Sequence, residues 1–103
     1  MTSRKSDMEK LQESAGQAAA LLQAVGNPHR LLVLCLLIEA GEMTVGALNA
    51  QVPLSASALS QHLARMREEG LVTFRREAQT LHYRISDQNV ARLIATLKEI
   101  FCP

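Results

Sequence analysis

Apolar residues recur at helical spacing along most of this chain and give way to strict alternation once, shortly before its last helix. From Asp7 to Val25 the stripe is Met8, Leu11, Ala15, Ala18, Leu22 and Val25, which predicts an amphipathic helix weakened slightly by Gly16. Gly26-Asn27-Pro28 then ends one helix and begins another, because Asn caps well and Pro suits the first helical position. The second helix is predicted to run to about Ala40 and stop at Gly41. It is apolar almost all round from Leu31 to Ile38, the pattern of a buried central helix.

Thr44 is a candidate cap for a short third helix, Val45 to about Gln51, and Val52-Pro53-Leu54 breaks it. Ser55 is placed to cap a fourth helix lasting to about Glu69, with Gly70 as its stop and Leu59, Leu63 and Met66 as its inner stripe. The period then changes. Val72 and Phe74 alternate with Thr73 and Arg75, and Leu81, Tyr83 and Ile85 alternate with His82 and Arg84. These are two strands, joined through a predicted loop from Arg76 to Thr80. Ser86 or Asp87 caps a last helix with the stripe Val90, Leu93, Ile94, Leu97, Ile100 and Phe101. The expected order is α-α-α-α-β-β-α, a mainly α winged helix-turn-helix.

Composition agrees with one small domain. The 103 residues are 48% hydrophobic and 20% charged, an ordinary globular balance. With no Trp, one Tyr and two Phe the core must be aliphatic, which suits packed helices better than a β-sandwich. Residues 1–6 are polar and expected to be disordered, leaving 7–103 as the folded unit. No apolar stretch follows the basic start, and the run from Leu31 to Ile38 is too short to span a bilayer. Two distant cysteines do not make a secreted disulfide framework, so a cytoplasmic location is expected.

Net charge is only +1, but it is unevenly spread: Arg65, Arg67, Arg75, Arg76 and Arg84 face only Glu68, Glu69 and Glu77 in the same stretch. If the fourth helix turns Leu59, Leu63 and Met66 inward, then Ser57, Gln61 and Ala64 point outward, with Ser60 and Arg65 on the shoulders. Gln61 can offer a donor-acceptor pair to adenine, and Ser57 and Ser60 can bond bases or phosphates. Arg75, Arg76, Gln79 and Thr80 are expected at the hairpin tip, within reach of phosphates or a minor groove. A polar helix face is also what a merely solvated surface looks like. His62, beside the inner stripe, reads as packed or phosphate-touching rather than metal-ligating.

Leu54-Ser55-Ala56-Ser57-Ala58-Leu59-Ser60-Gln61-His62-Leu63, the following Leu71-Val72, the Arg75-Arg76-Glu77-Ala78-Gln79 wing and Tyr83 resemble the ArsR family of bacterial repressors. The opening of the second helix, Gly26 to Leu31, resembles it too. The resemblance implies a homodimer joined through the first and last helices, bound to double-stranded operator DNA and released by an inducer. Many members sense metals, yet the stretch Met43 to Leu48 holds no cysteine and the last helix, after Asp87-Gln88-Asn89, holds no histidine. The usual metal ligands are missing, and no metal or cofactor is expected.

Cys35 and Cys102 remain. Their placement resembles the sulfide- and redox-responsive BigR, SqrR, YgaV and HlyU subfamily, which implies a dithiol switch driven by reactive sulfur species or an oxidant. Read from the residues alone, Cys35, within an apolar run, fits a small buried hydrophobe better than a reactive thiol. A metal- or haem-responsive repressor using a non-standard site stays open as the rival. A thiol enzyme lacks support, because the chain has no Cys-x-x-Cys, no Gly-rich phosphate loop and no cluster of acid-base residues.

Overall fold

The computed structural model of the chain describes residues 6–102. The polar leader lies outside the described residues except for Ser6, which is the N-cap of helix α1 (Asp7–Val25). Ser6 Oγ accepts from Glu9 N at 3.1 Å and the Glu9 carboxylate accepts from Ser6 N at 3.3 Å, a reciprocal capping box. Helix α2 (Pro28–Ala40) starts at Asn27, whose Oδ1 accepts from the amides of His29 and Arg30. The link between the two is tight: a Cβ on Gly26 would sit 2.8 Å from the Leu22 carbonyl oxygen. There the chain turns through 91°.

Strand β1 (Met43–Thr44) follows, then α3 (Val45–Gln51), capped by Thr44 Oγ1 on Ala47 N. Helix α4 (Ala56–Glu68) is capped by Ser55, whose hydroxyl accepts from Ala58 N at 3.1 Å. Gly70 closes α4 at φ +79°, a backbone region that favours glycine. Strands β2 (Val72–Glu77) and β3 (Thr80–Ile85) form the hairpin, and α5 (Gln88–Phe101) ends the fold, capped by Asp87 rather than Ser86.

The sheet is antiparallel with order β1-β3-β2. No sequence pattern marks β1. It pairs Met43 with Tyr83 and Thr44 with His82, and two residues are too few to show alternation. The hairpin also departs from expectation. Its strands continue to Glu77 and resume at Thr80, leaving Ala78 and Gln79 as a two-residue turn in place of a loop from Arg76 to Thr80. Ala78 stands at φ +57°. An L-residue pays about 1–2 kcal/mol there, partly offset in glycine by its freer unfolded chain. Ala78→Gly is therefore expected to stabilise the protein by about 0.5–1 kcal/mol. A lower denaturation midpoint in the variant would contradict this.

Val33, Leu34 and Leu37 of α2 form the centre of the core, meeting Leu48 of α3, Leu59, Leu63 and Met66 of α4, and Val90 and Ile94 of α5. α1 stands apart: of its residues only Val25 is buried, while Met8, Leu11 and Leu22 remain more than half exposed. Ile100 and Phe101 at the end of α5 are likewise exposed.

Candidate functional site

The turn between α3 and α4 is held from within. Asn49 Nδ2 donates to the Leu54 carbonyl at 2.9 Å, and buried Val52 anchors the bend. This fixes α4 with Leu59, Leu63 and Met66 inward and Ser57, Ser60, Gln61, Ala64 and Arg65 exposed on the outer face, as the helical period requires. The small side chains of Ala56 and Ser57 leave the start of this face low enough for close approach to a surface.

His62 sits at the edge of that face, half-buried. Its Nδ1 accepts from Arg30 Nε at 3.3 Å. Burial, with the charges of Arg30 and His29, pushes its pKa below the ordinary imidazole value and favours the neutral ring. The His29 ring lies 6.2 Å from it, centroid to centroid. A shallow cleft of about 220 Å³ beside Gln61, His62 and Arg65 opens at this edge.

The wing is arranged differently from expectation. Arg75 is not at the hairpin tip. It lies in the body of β2 opposite His82, because the strands extend further toward the turn than alternation alone indicates. Its guanidinium makes a bidentate pair with Glu42, at 3.0 and 2.8 Å, and reaches Glu77 at 3.4 Å. That pair holds the Glu42 carboxyl below its ordinary range. His82 lies 3.7 Å from both Glu42 and Glu77. Arg75 therefore ties the wing to the chain ahead of β1. Arg76, Gln79 and Thr80 are exposed at or next to the turn. At the root of the wing Arg67 stacks on Phe74 with 4.6 Å from Cζ to the ring centroid, and Phe74 meets Tyr83 edge-on.

Cys35 and Cys102 come together between α2 and α5. They line one apolar cleft of about 260 Å³ between α2 and α5, with Leu31, Leu97, Lys98 and Phe101. Cys102 is exposed and Cys35 half-buried, both as free thiols. Burial raises the Cys35 pKa; Lys98 opposes this, while Cys102 and Glu39 add to it. Lys98 forms an ion pair with Glu39 and so clamps the end of α5 to the end of α2 beside the thiols.

The helix-turn-helix region, residues 27–73, matches the family model described as bacterial regulatory protein, arsR family. The HTH-type transcriptional regulator YgaV of Escherichia coli (strain K12) is 50% identical over 94% of this chain and 98% of its own length. The transcriptional activator HlyU of Vibrio cholerae is 41% identical over 93% of this chain and 88% of its own. The crystal structure of the transcriptional repressor BigR from Xylella fastidiosa superimposes with a TM-score of 0.83 at 36% identity, covering 95% of this chain and 99% of that one. The chain belongs to the ArsR family. It is a transcriptional regulator, not an enzyme.

In this ArsR-family regulator no three His, Cys, Asp or Glu side chains among the described residues are grouped to hold a metal ion. No single described helix is long and apolar enough to cross a membrane. Four participants leave no local signal in the sequence: Arg30, Glu42, Lys98 and Glu39. Each acts through a partner at least 32 positions away, and local periodicity carries no trace of such a pairing.

Proposed function

We propose that this regulator represses transcription by binding operator DNA as a homodimer in the cytoplasm, and that persulfide or oxidant releases it by linking Cys35 to Cys102. The observation that carries the release mechanism is the shared cleft: two thiols far apart in sequence line one apolar space between the central helix and the last helix. Family membership and the exposed polar face of α4 support the DNA-binding half. Ser57, Ser60 and Gln61 are the base-reading candidates. His62, Arg65, Arg76, Gln79 and Thr80 are the candidates for backbone contacts, and Arg75 joins them only by loosening its grip on Glu42.

The relatives carry both signs of control, since HlyU is named an activator and BigR a repressor. Repression is the reading that a thiol-triggered release from DNA makes simplest. The test compares reduced and persulfide-treated protein on operator and unrelated DNA at fixed salt. Reduced protein is expected to prefer the operator and treated protein to lose that preference; equal behaviour of the two forms would refute the release mechanism. In the same assay Gln61→Ala should cost about 1–3 kcal/mol at the operator with little change in fold. Unchanged operator affinity removes Gln61 from the reading face.

A further inference from the structure

Arg30 occupies a position that helix chemistry alone disfavours. It lies in the first turn of α2, where the helix dipole repels a cation, and His29 is next to it. Its side chain is only 17% exposed, so the guanidinium needs partners to offset its lost hydration. It finds them on two other helices. Nη1 donates to the Ala24 carbonyl at 2.9 Å, one of the carbonyls that the end of α1 leaves without a helical partner. The same nitrogen reaches Glu69 Oε1 at 3.4 Å, and Nε donates to His62 Nδ1 at 3.3 Å.

His62 and Glu69 are seven positions apart, two turns of helix, and so lie on one face of α4 and its cap. The buried stripe Leu59, Leu63 and Met66 sets the gross rotation of α4, and two further attachments along one face hold it against small rotations and tilts about that setting. The axial rotation decides which of Ser57, Ser60, Gln61 and Ala64 face outward. A ring that accepts at Nδ1 while neutral must carry its proton on Nε2, so His62 is also fixed in one tautomer.

We propose that Arg30 is a positioning residue for DNA recognition: one guanidinium clamps the recognition helix α4 to the end of α1, steadying the reading face that the core stripe turns outward and coupling it to the helix that stands clear of the core. This rests on the DNA-binding reading above. A direct phosphate contact by Arg30 is the competing role, and salt dependence separates the two. Losing a phosphate contact lowers the slope of log affinity against log salt by about one, whereas losing a positioning residue leaves the slope unchanged.

The experiment uses full-length reduced protein carrying Arg30→Met. The ratio of operator to unrelated-DNA affinity is expected to fall at least tenfold, with the salt slope and unrelated-DNA affinity unchanged. A slope reduced by about one, or an unchanged ratio, would overturn the proposal. Should Arg30→Met fail to fold, Glu69→Gln cuts one arm of the clamp. Its ratio is expected to fall about threefold even though removing a carboxylate favours DNA in general, and an unchanged ratio again overturns the proposal. Amide exchange in the free protein keeps the two readings distinct. Faster exchange across Ala56–Glu68 in the variant, with Gln88–Phe101 unaltered, supports the clamp even where wild type shows no operator preference. Unaltered α4 exchange refutes the clamp whatever the DNA result.

Discussion

Cys35→Ser and Cys102→Ser proteins will bind operator DNA as reduced wild type does, and will stay bound under the persulfide or oxidant exposure that releases wild type. The expected contrast is a coupling on the order of 1–3 kcal/mol, or about 5- to 150-fold in operator affinity, present in wild type and absent in both variants. The geometry gives the two thiols different tasks. Cys102 is exposed and stands at the C-cap of α5, so it meets a reagent first. Cys35 is half-buried, and burial pushes its pKa up, so less of it is thiolate at neutral pH. In the proposed switch it would resolve the modified Cys102 rather than start the reaction. If deprotonation of Cys35 limits the second step, linking is expected to keep speeding up as pH rises above the ordinary thiol range, because burial holds its pKa up.

The link would join the core helix to the helix whose end carries exposed Ile100 and Phe101. A direct disulfide demands Cα atoms about 4.4–6.8 Å apart, and inserted sulfur atoms relax that demand. Mass spectrometry of treated protein separates the products. If both variants release DNA as wild type does, the switch is wrong and Cys35 is only a packing residue. A linked product in wild type without loss of operator binding would show that chemistry occurs at the cleft but does not reach α4.

Helix boundaries were legible because caps and stops are local chemistry. Asn27 before Pro28, Thr44, Ser55 and Gly70 each act on amides or carbonyls a few residues away, and all do so in the structure. The outer face of α4 was legible for the same reason, since a single period fixes it. What failed to show were long-range pairings. β1 exists only because β3 is there to pair with it, and the short hairpin turn depends on Ala78 accepting a conformation that no Gly or Asn signals. Arg75 looked free for DNA because Glu42 is 33 positions away, and Arg30 carried no signal because its partners lie on other helices. The meeting of Cys35 and Cys102 came from family resemblance; helical spacing alone does not bring them together.

Placing a charge on the exposed stripe of α1 should have the largest effect on DNA binding of any substitution outside α4. Met8, Leu11 and Leu22 are 60%, 62% and 55% exposed, and Ile100 and Phe101 are 61% and 76% exposed. A stripe of this kind on a helix that barely touches its own core marks a contact surface. In the proposed homodimer a two-fold axis brings these stripes together, and the two α4 helices then meet half-sites about one DNA turn apart. Leu11→Asp would bury a carboxylate without a partner in that interface, a cost of several kcal/mol. Because the first 14 residues of α1 are exposed in the single chain, the same change leaves the monomer fold intact. Light scattering should give twice 11.3 kDa for wild type at micromolar concentration and one subunit mass for the variant. Operator affinity should fall by about 100-fold or more, since the second half-site no longer binds intramolecularly, while affinity for a single half-site should change little. A stable wild-type monomer, or a Leu11→Asp protein that stays dimeric and binds the full operator normally, would overturn the assembly.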